Sequence, residues 1–241
     1  MQIALSQFGG AWADLNEALP RLETLRLHRY QIMAHDALGC LFLELNLPGQ
    51  ALRHFEKGLG LARDAGIMYW RPKLQANLVI AQLRLGIACD QAALQAARQY
   101  AQDHSEAWLT LRCMEALAEW ALARGDADAC MAYADQLLAL ASRGDMRELI
   151  GQAHRLRGLA WLAVNAYESA RADLTLAVTL AEQIGRVRLA WECHGALARV
   201  AAALCDESGK TDSETRAGAL ADQIAHNLRS SGVNFNLQAG R

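Results

Sequence analysis

The sequence predicts an all-α protein, a superhelix of five to six stacked helical hairpins. Three observations carry this reading. The 241 residues are 53% hydrophobic and 21% charged, a globular balance. The segments between the only three prolines, Pro20, Pro48 and Pro72, are rich in the helix formers Ala and Leu. The chain also repeats itself. A shift of 119 residues lays Gly39 on Gly158, Leu43 on Leu162, Asn46 on Asn165, Ala51 on Ala170 and Gly66 on Gly185. A shift of 79 lays Leu38 on Leu117, Leu43 on Leu122, Leu61 on Leu140 and Ala62 on Ala141. These are near three and two units of about 40 residues, the period of helical solenoids. Gly and Asn, which tolerate the left-handed geometry of a helix end, fall where such units need turns.

Hairpins are predicted at 1–29, 30–66, 67–103, 104–144, 145–185 and 186–230, with 231–241 an irregular tail of one domain, 1–241. In the first, Gly9-Gly10 reads as the turn and Pro20 kinks the second helix or resets its start. Its opening helix is short, with Ile3, Leu5 and Phe8 exposed, as expected of a fragment, of a start inside a longer gene, or of a surface for another protein, a second copy included. Asn46-Leu47-Pro48-Gly49 turns the second hairpin, Gly86 the third, Gly125-Asp126 the fourth and Asn165 the fifth. Second helices stop near Gly66, Gly144 and Gly185. In the sixth, Ser208-Gly209-Lys210 reads as the turn and Thr211-x-x-Glu214 as a capping box.

The hairpins resemble the tetratricopeptide repeat (TPR). The carriers are Gly39, Phe42, Ala51, Phe55 and Gly58 in one unit, and Gly158, Trp161, Tyr167, Ala170, Leu174 and Ala177 in another. The resemblance implies a right-handed α-α superhelix in which Gly39 and Gly158 let Ala51 and Ala170 approach closely. The period exceeds the TPR spacing of roughly 34 residues, so the helices are expected to be longer than in a standard TPR. Ala153–Val200 is similar to the C-terminal repeats of large bacterial regulators: signal-transduction ATPases of the maltose-regulator type, and proteins joined to adenylate cyclase or DNA-binding domains. In those the repeats sense a ligand or partner, while nucleotide binding and output lie elsewhere.

Chemistry is sparse. Gly209-Lys210-Thr211 ends like a phosphate loop, but Leu204 stands where its first glycine belongs and a helix precedes it in place of a strand. Gly125–Cys130 lacks the third ligand, glycine and glutamate of a calcium loop, and Asp126 reads as a helix cap. Cys193 and His194 are helix neighbours about 100° apart and chelate poorly. His154 and His194 could each find a metal-binding partner across the hairpins, but they read as satisfied surface or groove histidines. No catalytic, cofactor or metal residue is assigned, and no enzyme is expected. The net charge of −2 disfavours direct nucleic-acid binding. No apolar run long enough for a membrane occurs. Six scattered cysteines without C-x-x-C fit a reducing cytoplasm.

TPR placement, with first helices lining the concave face, turns Asp36, Cys40, Glu44, Glu115, Glu119, Arg155, Leu159, Leu162, Glu192 and Arg199 inward. Trp70, Trp108, Trp120, Trp161 and Trp191 fall on first helices and read mainly as packing residues. The expected function is a protein- or peptide-binding scaffold or sensor of a cytoplasmic regulator, with self-association through the N-terminal hairpin. The alternative is a small-molecule-sensing repeat domain of a transcriptional regulator.

Overall fold

The computed structural model describes residues 8–230, and every regular element among them is helical. The order is α1 (Phe8–Thr24), α2 (His28–Glu44), α3 (Pro48–Asp64), a 3-10 turn at Met68–Trp70, α4 (Arg71–Arg84), α5 (Gln91–Asp103) and α6 (Ala107–Ala123). Then follow α7 (Ala127–Arg143), α8 (Arg147–Ala163), α9 (Tyr167–Gln183), α10 (Val187–Ala203) and α11 (Glu207–Ser230). Among the described residues no helix is long and apolar enough to cross a membrane.

One turn design joins them all. A left-handed residue occurs at 26, 46, 66 and 86, then at 105, 125, 145, 165, 185 and 205. After each, the N–H of the next residue closes on the carbonyl five residues back. Leu47 donates to Phe42 at 2.8 Å, Ala166 to Trp161 at 2.9 Å and Arg186 to Ala181 at 2.7 Å. This is the Schellman end, which satisfies carbonyls the helix leaves open. The true unit is therefore one helix plus one turn, the spacing from 26 to 46 to 66, shortened by one between 86 and 105. That deletion explains the shifts of 119 and 79: every matched pair straddles it, so each falls one residue short of whole units. It falls in the 67–103 hairpin, where α4 has 14 residues and α5 has 13 against 17 for α2, α3 and α6–α10. Asp90 caps the shortened α5 by accepting from the Ala93 N–H at 3.1 Å.

Two punctuation readings are corrected. Gly9 and Gly10 do not turn the chain but lie in the first turn of α1, which continues through Pro20 to Thr24. In a first turn the N–H groups lack intrahelical acceptors anyway, so glycine there costs only propensity. Met1–Gln7, where Ile3 and Leu5 fall, and the tail 231–241 lie outside the described residues. The sixth turn is at Leu204–Asp206, and α11 already begins at Glu207. Asp206 is the cap, accepting from the Gly209 N–H at 2.9 Å. Thr211 sits inside the helix with its hydroxyl donating to the Glu207 carbonyl at 2.9 Å. Aspartate caps as well as threonine, and an earlier cap gives the helix another turn of bonds. By contrast Asp126 caps α7 as read, accepting from the Ala129 N–H at 2.9 Å.

Each helix packs on its neighbours in sequence, and α4, α6, α8 and α10 also pack side by side, with α2 beside α4. These form an inner layer, and α3, α5, α7, α9 and α11 form an outer one. Apolar residues fill the seam between them in three clusters, around Phe55 and Leu74, around Leu137 and Leu156, and around Leu174 and Leu189. Gly39 and Gly158 sit where helices cross; Ala170 does come close to Gly158, its carbonyl oxygen 3.3 Å from where a β-carbon would stand, but the tightest neighbours are larger side chains. A β-carbon on Gly39 would meet the Phe55 ring, with Cζ at 2.6 Å, and one on Gly158 would meet Leu174 Cγ at 2.6 Å. The two ends of the superhelix come together, α1 against α11.

Candidate functional site: the inner face

The first-helix faces carry polar residues at helical spacing, and the inner layer buries them against one another. On α2 and α4, Lys73 Nζ pairs with Asp36 Oδ2 at 2.6 Å, and Asn77 donates to Asp36 Oδ1 at 2.8 Å. Arg112 of α6 donates through Nε to Asn77 Oδ1 at 2.7 Å and through Nη1 to the fully buried Glu115 at 2.5 Å. The Lys73 ammonium also lies between two indoles, 4.8 Å from the Trp70 centroid and 4.9 Å from that of Trp108.

A second chain of charges runs from α6 to α2 through the late helices. Arg155 of α8 bonds Glu119 and Gln152 and lies 3.4 Å from Glu192. Arg188 of α10 bonds Glu192 at 2.5 Å and Glu44 of α2 at 3.3 Å. Arg186 reaches Glu44 at 3.7 Å and bonds Glu148. Glu44 and Arg188 are 144 residues apart in sequence, so their contact closes the superhelix across its inner face.

The electrostatics follow from that density. Burial would raise the Glu192 carboxyl, but Arg188, Arg155 and Arg84 outweigh it and hold it at about 2. Glu44 and Glu119 are likewise held below the carboxylate range, burial being more than offset by Arg188 and Arg186 for the first and by Arg155 and Arg84 for the second. Arg84 is the exception. Burial and the neighbouring Arg188 push it down to about 10, against the weaker pull of Glu192 and Glu119. Among the described residues no carboxylate lies within salt-bridge distance of it, and its Nη1 is shielded from solvent without a hydrogen-bond partner.

Between these chains lies a cavity of about 190 Å³ bordered by Cys40, Leu43, Glu44, Arg84, Trp108, Arg112, Glu148, Leu149, Gln152, Arg186 and Arg188. The thiol there is inert: burial raises Cys40 to about 12.

Of the residues predicted to point inward, Asp36, Cys40, Glu44, Glu115, Glu119, Arg155 and Glu192 join this layer. Leu159 and Leu162 instead pack, half-buried, on the third apolar cluster beside Trp161. Arg199 is exposed and borders a shallow depression with Lys210 and Glu214. Sequence reasoning missed Arg84, Arg112, Glu148, Arg186 and Arg188. The signal was present in spacing, since 112–115–119, 148–152–155 and 188–192 are i, i+3 or i+4 stripes. His154 is satisfied by Asp173 of the facing helix at 2.8 Å, which also accepts from the Trp161 indole at 3.2 Å, and His194 is buried 3.7 Å from Glu182. No protein-family model matches the chain, and no curated protein does.

Proposed function

We propose that the protein is a non-enzymatic, TPR-like sensor domain of a cytoplasmic regulator whose inner cavity takes a small molecule. The observation that supports this is the self-pairing of the inner face. Charges that would grip a peptide are committed to one another, and Glu44 meets Arg188 across the groove. What is left is a cavity smaller than the roughly 300 Å³ at which drug-sized sites begin. The similarity of Ala153–Val200 to regulator repeats agrees with a sensing role. Native mass spectrometry of the purified protein tests it. A small adduct is expected, and its retention is expected to fall in Trp108→Ala, since Trp108 is a half-exposed cavity wall whose loss leaves the core intact. Bare protein, with no stabilisation by any compound of a broad thermal-shift panel, contradicts it.

A protein-binding reading, through self-association, has one observation in its favour. Leu25, Leu27 and Tyr30 at the first turn and Met68 and Tyr69 at the third are exposed at 65%, 40%, 53%, 51% and 48%. Arg29 lies over the Tyr69 ring at 5.9 Å, so these turns adjoin. Sedimentation velocity of the wild type against Leu27→Asp with Tyr30→Glu checks it: a concentration-dependent dimer must disappear in the variant.

A further inference from the structure

We infer that the inner cavity is a site for a small dianion, a dicarboxylate or a phosphoryl group, with Arg84 as its determining contact; this rests on the small-molecule reading above. Over the whole inner face the signs balance, but around the cavity they do not. Four guanidinium groups border it, Arg84, Arg112, Arg186 and Arg188, against two carboxylates, Glu44 and Glu148. The carboxylates that restore balance, Glu115, Glu119 and Glu192, do not border it. Among the groups on the wall, cations outnumber carboxylates by two; Glu115 and Glu192, bonded to Arg112 and Arg188, stand behind it.

Three of the four cations have partners. Arg112 bonds Glu115, Arg186 bonds Glu148, and Arg188 bonds Glu192 and Glu44. Arg84 has none within salt-bridge distance, and it is held near Arg188, whose charge repels it. A guanidinium nitrogen shut off from water without an acceptor, as Arg84 Nη1 is on this half-buried side chain, is costly to the free protein. An oxyanion in the cavity supplies the missing acceptor, and the planar fork of guanidinium matches carboxylate and phosphate oxygens in pairs. The Trp108 wall lets an apolar portion of such a molecule rest against the indole.

Isothermal titration at fixed ionic strength and pH 7.5 tests this with inorganic phosphate and succinate as probes, on the wild type, Arg84→Met and Arg199→Met. Saturable one-to-one binding of at least one probe is expected. Phosphate alone would mark a phosphoryl ligand and succinate alone a dicarboxylate. Affinity is expected to fall at least tenfold in Arg84→Met and to be unchanged in Arg199→Met. The ligand-free melting temperature of Arg84→Met is expected to be no lower than the wild type, since the variant loses a charge without an ion-pair partner and a shielded, unsatisfied nitrogen. A purely structural arginine would lower it. If Arg84→Met does not fold, Arg84→Gln takes its place with the same tenfold loss. Binding that Arg84→Met or its substitute leaves intact overturns the inference. So does failure of both probes. If a neutral compound then binds and is lost in Trp108→Ala, the anion assignment alone has failed. If nothing binds and no adduct is seen, the small-molecule reading falls with it.

Discussion

Gly39 shows how one missing methyl group sets a helix crossing. Its α-carbon lies under the Phe55 ring, which is fully buried. Gly39→Ala is expected to cost about 1–3 kcal/mol, because ring and helix must move apart in a packed core. Gly60, mid-helix in α3 with open space where a β-carbon would stand, gives the opposite sign: Gly60→Ala is expected to add about 0.5–1 kcal/mol. Chemical denaturation of the two variants measures both. The same scale settles the Gly-Lys-Thr sequence. A β-carbon on Gly209 would meet Asp206 Oδ2 at 2.5 Å, so this glycine makes room for the carboxylate that caps α11. Asp206→Ala is expected to cost about 1 kcal/mol in urea unfolding and Thr211→Ala less than about 0.5 kcal/mol. The motif's glycine was visible in the sequence. Its reason was not, because the cap lies three residues upstream and is recognised only once the helix start is known.

At the scale of the element, the unit is a helix of 17 residues and a three-residue turn with one left-handed position. Where that position is Gly or Asn, as at Asn46, Gly66, Gly86, Gly125, Asn165 and Gly185, the sequence reads correctly, because these residues need little compensation there. Arg26, Ser105, Asp145 and Cys205 occupy it too, and composition alone does not flag them. Glycine nearby then misleads at the sixth turn, where Gly209 stands in for Cys205; Gly144 does mark the end of α7, as its C-cap, with Asp145 the left-handed residue after it. Cys205 has φ of 56° and is exposed. Cys205→Gly is expected to raise stability by up to about 1 kcal/mol by relieving the left-handed strain. A melting temperature below the wild type contradicts this. The all-helical class and the hairpin spacing were legible because periodicity is a local property. The inner charge layer was legible only in part, since which charges meet depends on how far the superhelix curls.

The whole molecule closes on itself, and two kinds of shielded group tie its stability to pH. His54, beside His35 at 3.0 Å, is pushed down to about 4 by burial, by His35 and by Lys57. The unfolded chain takes up this proton near 6.5, so the contribution is full above 6.5 and is lost as pH falls toward 4. Glu192, held at about 2, contributes fully above the ordinary 4.5 and loses that as pH falls toward 2. Urea midpoints are expected to fall from pH 7 to 5 and again from 5 to 3, with His54→Gln flattening the first step. Closure itself rests on the contact of Glu44 in α2 with Arg188 in α10. A double-mutant cycle of Glu44→Gln and Arg188→Met, read by unfolding free energy, measures it most directly. A favourable coupling of about 1 kcal/mol or more is predicted. Additive effects would mean that α2 and α10 do not meet, and the closed inner face with its cavity would be contradicted.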